Sequence, residues 1–144
     1  MEKVRIGIDI GNVIIGGDSD LPDTSFFGDN FLATPPISES FESIRLLAKE
    51  FDVWLISKCG KKIQDRSLAW LEAYEFFEVT GVKPEQVIFC RQRKEKSPIA
   101  ESLALRVFID DRVDIISSME NIVAHPILFR SWEEALKTIN TFDF

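Results

Sequence analysis

Four short polar stretches carry the side chains able to do chemistry, and each directly follows an apolar run. Asp9 follows Val4–Ile8, and Ser57 follows Val53–Ile56. The basic stretch Arg91–Lys96 follows Gln86–Cys90, and Asp110–Asp111, with Asp114 just beyond, follows Val107–Ile109. Alone, each has an ordinary explanation as a turn or helix-cap residue. Gathered at one place they need another, because clustered buried carboxylates repel and raise each other's pKa. A cation must compensate, and magnesium prefers oxygen ligands of this kind. These residue types point to carboxylates, a hydroxyl and a lysine around a cation such as magnesium.

Other chemistries are argued against by what the chain has little of. With His125 as its single histidine, a histidine metal site or a Ser/His/Asp triad is a poor reading, and His125, placed before Pro126, reads as structural. Cys59 and Cys90 lack metal-ligand spacing. No secretion signal is visible, so both read as free thiols in a cytoplasmic protein. Trp54, Trp70 and Trp132 read as core rather than as substrate platforms.

The elements that must position these residues alternate along the chain. The apolar runs above are short and rich in β-branched residues, which reads as buried strands. Between them, Ser38 reads as the N-cap of a helix to Glu50, with Phe41, Ile44, Leu47 and Ala48 on its inner face. A second helix is expected from Lys61 to about Phe77, with Ile63, Leu68, Leu71 and Tyr74 inward and Thr80–Gly81 stopping it. Ser97–Leu105 forms a third, with Pro98 in its first turn. Val113–Met119 is a helical turn, and Ser131 caps a last helix through Ile139. Ile122–Ala124 and Ile127–Phe129 read as one more strand, broken by Pro126. Strands alternating with helices imply an α/β chain with a three-layer, doubly wound parallel sheet of about five strands. Its ligands would bind outside the carboxyl ends of the strands, where all four polar stretches lie.

The chain has 144 residues, 45% hydrophobic and 28% charged, and a net charge of −7. That is the size of one domain, able to bury roughly 68–70% of its unfolded surface. We read residues 1–144 as a single domain with a long loop at 16–36 beside the site. No apolar run is long enough for a membrane span. The acidic balance argues against a nucleic-acid partner. Yet Lys58, Lys61, Lys62, Arg91, Arg93, Lys94, Lys96 and Arg112 place 8 of the 17 basic residues at the strand ends. That edge reads as a basic rim for an anionic substrate, one carrying several anionic groups.

The order of these motifs resembles a family. Ile8-Asp9-Ile10-Gly11-Asn12-Val13-Ile14, then Trp54-Leu55-Ile56-Ser57, then Lys96-Ser97-Pro98, then Phe108-Ile109-Asp110-Asp111-Arg112-Val113-Asp114 look like the four motifs of the haloacid dehalogenase (HAD) superfamily. The resemblance spans Val4 to about Phe129 and implies a HAD-like Rossmannoid fold. It implies that Asp9 is the nucleophile, passing through an aspartyl-phosphate, and a ligand of Mg2+. Gly11 would offer its carbonyl to the metal, and Asp110 with Asp111 or Asp114 would complete the ligands. Ser57 would hold phosphate oxygens at a helix start, where anions are favoured. Lys96, with Lys94 as the alternate, would neutralise the nucleophile and the phosphate. Gly11, Asn12 and Lys58 would also contact the substrate.

One position departs from the pattern. Most phosphatases of the superfamily carry a second aspartate two residues after the nucleophile, as general acid–base, and here that residue is Gly11. Asp18, Asp20 or Asp23 in the long loop are alternative acids. The two insertion points hold little chain, which implies a capless or minimally capped member. The reading is therefore a magnesium-dependent phosphohydrolase working through Asp9. The alternative is a weakly active or inactive module that binds a phosphorylated ligand or partner. A receiver-type phosphoacceptor fits poorly, since its aspartate would follow the third strand, where this chain has Arg91. Oligomeric state is open.

Overall fold

The structure is a computed structural model that describes residues 2–16, 28 and 30–144. Five parallel strands form one sheet: β1 (Arg5–Ile8), β2 (Asp52–Lys58), β3 (Val87–Cys90), β4 (Val107–Asp110) and β5 (His125–Leu128). Their spatial order is β3-β2-β1-β4-β5, so the chain winds outward from β1 in both directions. The helices are α1 (Ser40–Glu50), α2 (Lys61–Ala73), α3 (Phe76–Thr80), α4 (Lys96–Ser102), α5 (Val113–Ser118) and α6 (Trp132–Ile139). This is the expected α/β doubly wound sheet. Among the described residues, no helix is long and apolar enough to cross a membrane.

Successive strand residues point to opposite faces, and the core divides accordingly. Ile6, Ile8, Val53, Leu55, Val107, Ile109 and Ile127 pack with residues of α1, α2, α3 and α6. Ile56 and Phe108 pack on the other face with Ala100 of α4, Ile115 of α5 and Leu105. Gly7 belongs to this second face. A Cβ there would meet Leu105 Cδ1 at 2.6 Å and the Phe108 ring at 2.9 Å, so only glycine lets those side chains lie on β1.

The third helix spans Lys96–Ser102 rather than Ser97–Leu105, and β2 runs on through Ser57. Three other differences from the expectations have packing reasons. The first helix begins at Ser40, not after a Ser38 cap. Ile37 N–H is held by the Ile14 carbonyl at 2.8 Å, and the chain turns at Glu39, whose φ is 65°. The second helix ends at Ala73. Glu75 then adopts φ 57° and swings Phe76 into the core, edge-on to Phe41 at 5.1 Å, as the start of α3. Leu68 is 36% exposed. The inner face of α2 is carried by Ile63, Ser67, Trp70, Leu71 and Tyr74, and Ser67 fits there because its hydroxyl donates to the Ile63 carbonyl at 2.8 Å. Finally, Pro126 lies within β5 rather than breaking it, and Ile122–Ala124 is not strand. On edge strand β5 the donors alternate: His125 N–H reaches the Arg106 carbonyl and Phe129 N–H that of Asp110, so the missing N–H of Pro126 is not needed by the ladder.

Ala104 closes α4 as the left-handed residue of a Schellman turn. Its φ is 56°, its N–H reaches the Glu101 carbonyl, and Leu105 N–H reaches that of Ala100, both at 3.0 Å. The position is exposed, and a Cβ is disfavoured in that conformation. Ala104→Gly is expected to stabilise the fold by about 1 kcal/mol, read as a higher denaturant midpoint with an unchanged m-value.

Candidate active site

The winding reverses between β1 and β4, and in such sheets the crevice at that switch point is where ligands bind. Asp9 directly follows β1 and Asp110 ends β4. Both are buried, Asp110 completely. The loop carrying Asp9 is stiff. The N–H groups of Val13, Ile14 and Ile15 converge on the Ile10 carbonyl at 3.2, 2.8 and 3.2 Å. Trp132 Nε1 donates to the Val13 carbonyl at 2.8 Å. Asn12 takes φ 62° in this turn, a conformation that asparagine tolerates.

Lys96 joins the two carboxylates. Its ammonium lies 3.2 Å from Asp9 Oδ1 and 2.7 Å from Asp110 Oδ2, and the residue is buried. The approach to it is set by Glu95, whose Oε1 accepts from the N–H groups of Gln92 and Arg91 at 2.8 and 3.1 Å. That turn leaves Lys94 exposed and Lys96 pointing inward. Asp110 is fixed on its other side by Arg112 N–H, which donates to Oδ1 at 3.0 Å. Asp9 Oδ2 makes no such contact among the described residues, and Asp9 lines an open cleft of about 450 Å³.

The charges of this cluster do not balance. Burial pushes the Asp9 carboxyl up to about 8, against the pull of Lys96 and with help from Asp110 and Asp111. Burial also raises Asp110, again against Lys96. Lys96 is pulled down by burial, but its two carboxylate partners outweigh this and hold it above its usual value. One ammonium thus serves a group of three carboxylates: Asp9, Asp110 and Asp111 each offer an oxygen, all within 4.8 Å of one another. Hard oxygen donors with uncompensated negative charge suit Mg2+. Asp114 stands outside this group, exposed and engaged by Arg112 Nε at 3.0 Å.

The remaining expected residues fall on the same cleft. Gly11, Asn12, Ser57 and Lys58 line it. Ser57, near the end of β2, is buried and lies beside Cys59 on the cleft. The Cys59 N–H is already given to the Cys90 carbonyl at 3.0 Å, so any further backbone donors come from Gly60 and the first turn of α2. Gly11 is exposed, and a Cβ built on it meets nothing within 4 Å. Asp18, Asp20 and Asp23 lie outside the described residues. Sequence reasoning missed Ile15, Thr34, Ile63 and Ser67, which also line the cleft. Their types and spacing match no motif, and Ile15 pairs with Pro36 beside the cleft.

The basic rim is smaller than its sequence count. Lys58, Arg93 and Arg112 line the cleft. Arg91 turns away to the Cys59 carbonyl and Gln64 Oε1, both at 2.9 Å, and Lys61 pairs with Asp65. Residues read as structural sit apart: His125 stacks on Phe142 at 3.7 Å, and Trp70 and Trp132 are buried, whereas Trp54 is only partly so.

No protein-family model and no curated protein matches the chain. Solved structures do. One is a structure described as a haloacid dehalogenase-like hydrolase from Burkholderia xenovorans LB400, with TM-score 0.57 and 14% identity over 84% of this chain and 78% of that one. Another is a HAD family enzyme from Bacteroides thetaiotaomicron in a magnesium complex, with TM-score 0.59 and 10% identity over 91% and 95%. A third is a haloacid dehalogenase-like family hydrolase from Xanthomonas campestris, with TM-score 0.52 and 11% identity over 78% and 75%.

Proposed function

We propose that this chain, whose fold is that of the HAD-like hydrolases, is a magnesium-dependent phosphohydrolase working through an aspartyl-phosphate on Asp9. The observation that carries the reading is the buried Lys96 bridging Asp9 and Asp110, with the other oxygen of Asp9 left for the cleft. A structural ion pair alone would not place a third carboxylate beside them.

In the first step Asp9 Oδ2 attacks phosphorus, and the bond to the leaving oxygen breaks. The leaving group departs as its anion or takes a proton from solvent. In the second step water attacks phosphorus, the bond to Asp9 breaks, and inorganic phosphate leaves. Lys96 offsets charge on Asp9 and on the phosphate, which otherwise repel. The Ser57 hydroxyl and the start of α2 hold phosphate oxygens. Asp9, Asp110, Asp111 and the Gly11 carbonyl would hold Mg2+, which would supply positive charge to offset that of the nucleophile and the phosphate. Between β2 and β3 the chain has only α2, α3 and a short turn, so we read the site as open, capless or minimally capped. The two buried, unpaired thiols fit a reducing compartment such as the cytoplasm.

Gly11 favours a second reading. Nothing at that position can protonate a leaving group, which suits a module that binds a phosphorylated ligand without turning it over. Phosphate release from acyl and aryl phosphates separates the two. The hydrolase releases phosphate with Mg2+ and stops on chelation. Thermal stabilisation by phosphate with Mg2+, without turnover across the panel, establishes the module instead.

A further inference from the structure

We infer that the substrate carries a second anionic group, a phosphate or a carboxylate, held in the cleft by Lys58 and Arg93. This rests on the phosphate site proposed above and adds its neighbour. Lys58 ends β2 and Arg93 lies in the turn between β3 and α4, and both line the same cleft as Asp9 and Asp111.

The cations of the edge are not equivalent. Arg112, on the β4 side, is matched by Asp114 at 3.0 Å. Arg91 and Lys61 are engaged away from the cleft, and Lys96 is consumed by Asp9 and Asp110. Lys58 and Arg93 differ. Both are exposed, both line the cleft, and neither has an ion pair among the described residues. Arg93 acts on Asp114 only at longer range. In a chain of net charge −7, two cations without a salt-bridge partner beside one phosphate pocket are a local exception. Solvated helix starts do not account for them, because helix N-termini favour acids. Charge that is not held in a salt bridge and lines a cleft is available to a ligand. The cleft, at about 450 Å³, has room for a small molecule with two such groups.

The test compares phenyl phosphate with hydroquinone bisphosphate and 4-(carboxymethyl)phenyl phosphate, whose leaving groups are electronically similar. It adds the stable analogues phenylphosphonate and 1,4-phenylenebisphosphonate, read as thermal shift with Mg2+. The doubly anionic esters are expected to show a kcat/KM about tenfold higher, through KM, since one charge-assisted contact is of that order. Arg93→Met and Lys58→Met should each collapse that ratio toward one and remove the extra shift given by the bisphosphonate. Equal kcat/KM for all esters in the unaltered protein would overturn the inference and leave the hydrolase reading standing. A preference that survives both substitutions would overturn the assignment to Lys58 and Arg93. No turnover of any ester, with the bisphosphonate still shifting the protein more through these two residues, would overturn the hydrolase reading and keep the second anion site.

Discussion

Asp9→Asn is expected to abolish phosphate release while making the metal-free protein more stable. The first effect follows from the loss of the attacking oxygen, a loss of at least about 10³-fold in turnover. The second follows from linkage. The Asp9 carboxyl is raised from 3.8 to about 8 by burial, so between those values the folded state binds more protons than the unfolded one. Stability contributed by this group is then complete below pH 4 and is lost as pH rises toward 8. Asparagine does not titrate and escapes that loss. In the presence of a chelator, the melting temperature of Asp9→Asn should exceed that of the parent at pH 8, and the gap should close toward pH 4. Saturating Mg2+ should reverse the order, because a ligand at 100 times its Kd stabilises by about 2.7 kcal/mol and the variant has lost one of its ligands. Calorimetry at pH 4, 6 and 8, with and without Mg2+, reads all of this. A variant that melts below the parent at pH 8 without metal, or that still turns over, would show that Asp9 is a structural partner of Lys96 and not a poised nucleophile.

The joint behaviour matters more than either half. A residue placed for stability makes the protein worse when removed. One held at a cost, among like charges and away from water, makes it better. Asp110 shares this cost, but it is fixed by both Lys96 and Arg112, so removing it would leave Lys96 less supported and blur the result. Asp9, with one oxygen uncommitted, is the cleaner position for the experiment.

How the site could be read from sequence is instructive in its details. The strand ends were legible because each β-branched run stops at a polar residue, and parallel strands put those stops on one edge. Asp9, Ser57 and Asp110 needed nothing else. The choice of Lys96 over Lys94 rested on Ser97-Pro98 opening a helix, and the structure supplies the physical cause in the turn gathered by Glu95. Between Asp111 and Asp114 the sequence was silent, since both lie within reach of a short loop. The distinction comes from Arg112, whose side chain takes Asp114 outward while its backbone holds Asp110. Side-chain pairing also thinned the basic rim, which no count of lysines and arginines reveals. The break after Ala73 was hidden for a different reason: α2 periodicity continues smoothly to Phe77, and only the packing of Phe76 against Phe41 favours the left-handed turn at Glu75.

Gly11→Asp is expected to turn the site into a broader catalyst. A positioned acid is typically worth about 10²–10⁴-fold, but only where the leaving group needs a proton. The gain should therefore be large for alkyl phosphates and near absent for acetyl phosphate, whose leaving group is already a stable anion. Plotted against leaving-group pKa, the steep fall of the parent should flatten in the variant. The structure accommodates the change: Gly11 is exposed, its φ lies outside the left-handed region, and a Cβ there has open space. Its stability cost is expected within about ±0.5 kcal/mol at an exposed position, apart from added repulsion near Asp9 that Mg2+ offsets. Asp18, Asp20 and Asp23 offer a competing source of the proton. Were one of them the acid already, the parent would show a shallow leaving-group dependence and Gly11→Asp would add nothing. A steep parent line that the new aspartate fails to flatten would mean that position 11 does not face the leaving oxygen, and the direction of attack assigned to Asp9 would have to be redrawn.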